Sequence, residues 1–108
     1  IDLQRSIPIR TINTYSWHRA NRARQYFSLW GANGETMPHP GFQNPQHGDW
    51  ALLAVVDTGS LGEGGVHASA VHAVPGQESL GPYRYLLWIA ENIGQGTFFT
   101  EIDVHAAE

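Results

Sequence analysis

Tyr83-Arg84-Tyr85-Leu86-Leu87-Trp88-Ile89 is the run on which the fold turns. Preceded by Pro82 and built from aromatic and aliphatic groups, it has the length and composition of a β-strand. Alternation sets Tyr83, Tyr85, Leu87 and Ile89 on one face and Arg84, Leu86 and Trp88 on the other. Both faces are largely apolar, so the strand belongs at the centre of a sheet. Its aromatics, with Phe98 and Phe99, read as core and inter-sheet packing. Arg84 is its lone charge and calls for a carboxylate, with Asp2 and Asp103 as candidates.

Further strands follow outward from that centre. Thr97 to Val104 reads as the last one, and Val66 to Val74 alternates weakly until Pro75-Gly76 closes it. Trp50 to Asp57 is apolar enough to be covered on both faces, and Tyr26 to Trp30 precedes a turn at Asn33-Gly34. A strand over about 8–17 has Ile7 and Ile9 facing inward and Arg10 outward. Residues 18–24 are polar and cationic and read as a loop. Residues 35–49, with three Pro, two Gly and two His, form a long surface excursion, functional or Ω-like. No window carries a 3.6-residue apolar stripe with caps. Six or seven short strands in one domain spanning residues 1–108 make the class all-β, and a sandwich explains the spacing better than a meander.

Composition narrows the function. Hydrophobic residues make up 42% and charged residues 15%, which excludes a disordered tail and a charged coiled coil. The net charge is −4 and every base is arginine, a deficit of cations that argues against general nucleic-acid binding. The absence of cysteine excludes disulfides, thiolate metal sites and cysteine nucleophiles. No run approaches the 18 apolar residues of a membrane span. No signal peptide is visible, and a first residue Ile1 inside an apparent strand reads as an excised piece of a larger protein.

Three stretches carry a family likeness. Ile1-Asp2-Leu3, Ile7-Pro8-Ile9-Arg10 and Thr14-Tyr15-Ser16-Trp17-His18 resemble the opening strand of discoidin-like (coagulation factor 5/8 type C) domains. Gln25 to Gly31, with Trp50 after the following turn, resembles their next strand. Tyr83 to Trp88 and Phe98 to Val104 resemble their ending, and order and spacing match over nearly the whole chain. The resemblance implies a galactose-binding-like jelly-roll β-sandwich, apparently lacking its N-terminal strand, of a family of binding modules for sugars, lipid headgroups or proteins. Gln4 departs from the family pattern, which has glycine there, and the 32–49 excursion is longer than usual.

The loop Trp17-His18-Arg19-Ala20-Asn21-Arg22-Ala23-Arg24 is the leading site candidate. Guanidiniums, an imidazole, an amide and an indole in eight residues suit a polyol, with donors forked onto hydroxyls and an aromatic face against the ring. The resemblance places this loop on the ligand-binding rim, so Trp17, His18, Arg19, Asn21, Arg22 and Arg24 are the expected ligand contacts. The competing reading makes Trp17 core and pairs the arginines with carboxylates. The resemblance also assigns Glu101 to a structural Ca²⁺, whose other oxygens would come largely from an N-terminal loop outside this chain. Asp103 shares the strand face of Glu101. Otherwise a strand-edge carboxylate is the expectation.

Other chemistries find little support. His67 and His72, five apart in a strand, lie on opposite faces, and His39, His47 and His105 add no His-x-His or zinc-protease pattern. Ser16, His18 and Asp57 supply triad types without a nucleophile elbow. Glu91, Glu101 and Asp103 could supply paired carboxylates, but no motif marks them as a catalytic pair, and Gly62-Glu63-Gly64-Gly65 is a bare turn. The expectation is a non-catalytic module that binds carbohydrate through rim loops within a larger extracellular or periplasmic protein. The alternative is a structural module docking on another protein segment. On either reading an unpaired sheet edge invites contact with a further polypeptide chain.

Overall fold

The run around Leu86 lies in β5 (Pro82–Ala90), which is central: β2 (Tyr26–Ala32) flanks it on one side and the first part of β1 (Asp2–His18) on the other. The structure is a computed structural model and describes residues 1–38, 49–91 and 96–107. The remaining strands are β3 (Ala51–Asp57), β4 (Gly65–His72) and β6 (Phe99–Ala106). All pairings are antiparallel, in the order β3-β2-β5-β1-β4, with β6 also on β1. Among the described residues the only helical turn is the 3-10 turn Gly59–Leu61. The all-β reading holds.

β1 is longer than its sequence suggests, and it makes the sheet curl. Its first part pairs with β5, and its second part lies between β4 and β6. The exchange of partners takes two residues: Ile9 bonds to Leu80 and Gly81 ahead of β5, and the Arg10 carbonyl accepts from Ala73 after β4. Curling lets all six strands feed one core. Ile9, Ile12, Phe27, Leu29 and Leu86 are fully buried there, with Leu53, Val56, Val71, Ile102 and Val104 packed around them. Each large side chain so enclosed contributes about 1.5–3 kcal/mol.

The other face of β2 and β5 carries a second cluster of Trp30, Ala32, Trp50 and Tyr85, joined by Leu87 and Ile89. Both faces of β5 are thus covered, as its composition implies. Tyr83 breaks the alternation by packing with the first cluster. Two glycines make room for its ring: a Cβ on Gly31 would meet it at 2.7 Å, and one on Gly81 at 2.8 Å.

Several expectations are corrected. β3 pairs only with β2 among the described strands, and Leu52 and Val55 are 47% and 62% exposed, so it is an edge rather than a doubly covered strand. Trp50 precedes it and packs on Trp30 and Tyr85. Phe98 and Phe99 are 47% and 37% exposed instead of core, although Phe99 reaches Phe27 edge-to-face at 6.2 Å.

Arg84 is paired with Asp2, one of its two expected partners, through a fork of 2.9 and 3.2 Å. The same guanidinium donates to the carbonyls of Gly34 and Glu35, while Asn33 bonds both Pro82 O and Arg84 N. This knot anchors the start of the long excursion. The rest of the excursion, with His39 and His47, lies outside the described residues.

Candidate functional site

The candidate rim loop rests on a buried polar floor. Gln25 is fully buried, and its amide nitrogen donates to Thr14 O, Ser16 Oγ and His67 O while its amide oxygen accepts from Ser69 Oγ. Thr58 holds the Gln25 backbone from both ends: its hydroxyl accepts from Gln25 N, and its own N–H donates to Gln25 O. His67, also buried, meets the Thr58 hydroxyl through Nδ1 at 2.6 Å, and its Nε2 has no partner among the described residues. A buried amide must satisfy both its donors and its acceptor, and this floor does so for Gln25.

Above that floor the loop backbone is tied residue by residue. Ser16 Oγ donates to Ala23 O, Ala23 N to Glu63 O, Phe98 N to Arg22 O and Thr97 Oγ1 to Arg24 O. His18 closes the turn itself: Nδ1 accepts from the N–H groups of Ala20 and Asn21, both at 3.1 Å. With Nδ1 accepting, Nε2 is the ring nitrogen left to donate. The loop is therefore pre-shaped, which reduces the ordering cost of binding.

The six expected contacts divide into four groups. Trp17 is 51% exposed and Arg19 is exposed, with no side-chain partner among the described residues. His18 and Arg22 both engage Phe98: the imidazole stacks at 5.2 Å and 22°, and the guanidinium sits 4.3 Å from the ring centroid while Nε donates to Gly96 O. Asn21 is exposed beside Arg22. Arg24 is taken up by Asp57 in a fork of 3.0 and 2.9 Å, with Tyr26 5.6 Å away. These hydrogen bonds hold the Asp57 carboxyl below its ordinary value, helped by the N–H of Gly59. Arg24 thus fits the competing reading, in which arginine pairs with carboxylate, and the exposure of Trp17 departs from it.

Phe98 is the residue that sequence reasoning assigned to the wrong place. Adjacent residues of an extended chain face opposite ways, so Phe99 turning toward Phe27 left Phe98 for the surface. That parity could have found it.

The other candidates stand apart. Ser16 is buried and bonded to Ala23, Asp57 is held by Arg24, and the Nδ1 of His18 is occupied, so the three triad types form no relay. His67 is buried and His72 exposed, on opposite faces of β4 as their spacing requires. Glu101 and Asp103 share one face of β6. A calcium ion takes six to eight oxygens, and no group of three or more His, Asp or Glu gathers among the described residues, at Glu101 or elsewhere. No described helix is long and apolar enough to cross a membrane.

No family model, curated protein or solved structure matches the chain.

Proposed function

We propose that the protein is a non-catalytic module that binds carbohydrate through this rim, in a discoidin-like jelly-roll sandwich belonging to a larger extracytoplasmic protein. The observation that carries the reading is Trp17: a large indole, half exposed, on a loop fixed from beneath and close in sequence to Arg19, which has no side-chain partner among the described residues. An exposed indole costs free energy in water, and an aromatic face with nearby donors is what a sugar ring needs. The likeness of Ile1-Asp2-Leu3, Ile7 to Arg10, Thr14 to His18, Gln25 to Gly31, Trp50, Tyr83 to Trp88 and Phe98 to Val104 to discoidin-like domains supports the same reading. The separate engagement of Ser16, His18 and Asp57 supports a binding role over a catalytic one. No step of the reading involves calcium.

A glycan-array screen tests it, followed by calorimetry on the glycan retained. Trp17→Ala and Arg19→Ala are expected to weaken binding at least tenfold with far-UV circular dichroism unchanged. Retention of no glycan by the parent protein overturns the reading.

One observation favours the second reading, a docking module. A groove of about 500 Å³ and mixed polarity opens between β3 and β4, and Leu53, Val56, Val71 and Leu80 carry it into the core. Its occupant on this reading is an extended polypeptide segment, adding to an edge that β3 and β4 leave unpaired among the described strands. Self-association or a required partner in light scattering supports it, and a monodisperse monomer counts against it.

A further inference from the structure

The carbohydrate reading leaves open where a bound chain runs, and strand register supplies a track. On β1 the even residues Thr14 and Ser16 are buried, so Asn13, Tyr15 and Trp17 occupy the outer face. Directly opposite residues share a face. On β6, Glu101 stands opposite Tyr15 and Asp103 opposite Asn13. On β4, Val66 stands opposite Trp17, Ala68 opposite Tyr15 and Ala70 opposite Asn13.

The outer face of β4-β1-β6 is therefore three parallel rows. The middle row carries two aromatic residues and an amide, spaced about 7 Å apart as alternate residues of a strand must be. The β6 row carries two carboxylates with no hydrogen bond or ion pair to any described side chain. The β4 row carries exposed alanines, low ground beside Tyr15 and Asn13. Trp17 ends this track and also begins the rim loop, so the two surfaces are continuous.

Chemistry selects the occupant. A carboxylate only accepts hydrogen bonds, so whatever lies against Glu101 and Asp103 must donate. Hydroxyls do so; a uronate or sulfated chain would bring like charge instead. Protein interfaces are depleted in Asp and Glu, which disfavours a polypeptide on this face. Aromatic residues in line with a strand favour an extended ligand over a compact one.

We propose that the outer face of β4-β1-β6 binds a linear, uncharged glycan along Trp17, Tyr15 and Asn13, with Glu101 and Asp103 accepting its hydroxyls. The proposal rests on the carbohydrate reading and adds the track, the ligand's shape and its charge class.

The test is titration calorimetry of the full chain with neutral hexasaccharides (cellohexaose, xylohexaose, mannohexaose), the matching disaccharides and an oligogalacturonate. The expected result is at least tenfold tighter binding of one neutral hexasaccharide than of its disaccharide and of the oligogalacturonate. Tyr15→Thr, which keeps a strand-favouring residue, is expected to lose at least tenfold. So is Ala68→Glu, which fills the low ground and removes no packing. If Trp17→Ala abolishes binding while both of these bind like the parent, the ligand sits on the rim alone; the track is then wrong and the carbohydrate reading survives. If the oligogalacturonate binds tighter than every neutral chain, the charge class is overturned. If no glycan binds at all, both readings fall together.

Discussion

Gln4 holds a φ of 71° and is the only non-glycine with positive φ among the described residues. It lies where the β1–β5 register shifts between Asp2 and Ile7, and its N–H donates to Asp2 Oδ1. A side chain in this left-handed region costs about 1–2 kcal/mol, against roughly 0.5–1 kcal/mol of chain entropy that glycine would lose on folding. Gln4→Gly is therefore expected to stabilise the protein by about 0.5–1 kcal/mol in urea unfolding; a loss of stability would contradict the strain argument. Gly31 is the converse case. Gly31→Ala drives a methyl into the Tyr83 ring and is expected to cost about 1–3 kcal/mol in the same experiment.

At the scale of elements, Gln25 joins β1 to β4 beneath the rim loop and is harder to replace than any of the loop's charges. Gln25→Leu strips hydrogen bonds from Ser16, Ser69 and two backbone carbonyls, and each buried polar group left unsatisfied costs about 1–3 kcal/mol. The expected loss is about 2 kcal/mol or more, read as a lower urea midpoint with unchanged slope. Gln25 also explains what the sequence concealed. β5 was legible because apolar groups on both faces mark a central strand. In the second part of β1 the polarity rule runs backwards: Thr14 and Ser16 are inside and Trp17 is outside, because the buried Gln25 amide, nine residues on, donates to the Ser16 hydroxyl and the Trp88 indole donates to that of Thr14. Alternation gives two faces but not which is outward, so nothing in the sequence set Tyr15 on the surface or placed Glu101, read as a strand-edge carboxylate or a calcium ligand, beside it. The edge position of β3 was hidden likewise, since apolar composition does not report a missing neighbour. The true length of β1 was hidden by Gln4-Arg5-Ser6, a polar interruption that the shifted register absorbs.

Over the whole molecule, two forked ion pairs connect distant segments. Asp2–Arg84 joins β1, β5 and the 33–38 segment, and Asp57–Arg24 joins the end of β3 to the rim loop. In each, the guanidinium's hydrogen bonds lower the carboxyl pKa below 3.8, with a backbone N–H adding to the effect. A depressed folded-state pKa gives stability that is present above the unfolded value and lost as pH falls through the folded one. Thermal midpoints should therefore decline below about pH 4, and Asp2→Asn and Asp57→Asn should each flatten that decline while lowering the plateau above it. An acid limb identical in parent and variants would show that other carboxylates govern it.

The placement of β1 between β4, β5 and β6 has a consequence for synthesis. β1 leaves the ribosome ahead of its partners and finds them only after residues 65–72, 82–90 and 99–106 have followed. At about 5–20 residues per second, an unpaired ribbon bearing Ile9, Ile12, Tyr15 and Trp17 waits on the order of ten seconds for its last neighbour. Such distant pairing is slow and sticky, so yield in a heterologous host should depend on chaperone supply and growth temperature more than on the final thermodynamic stability.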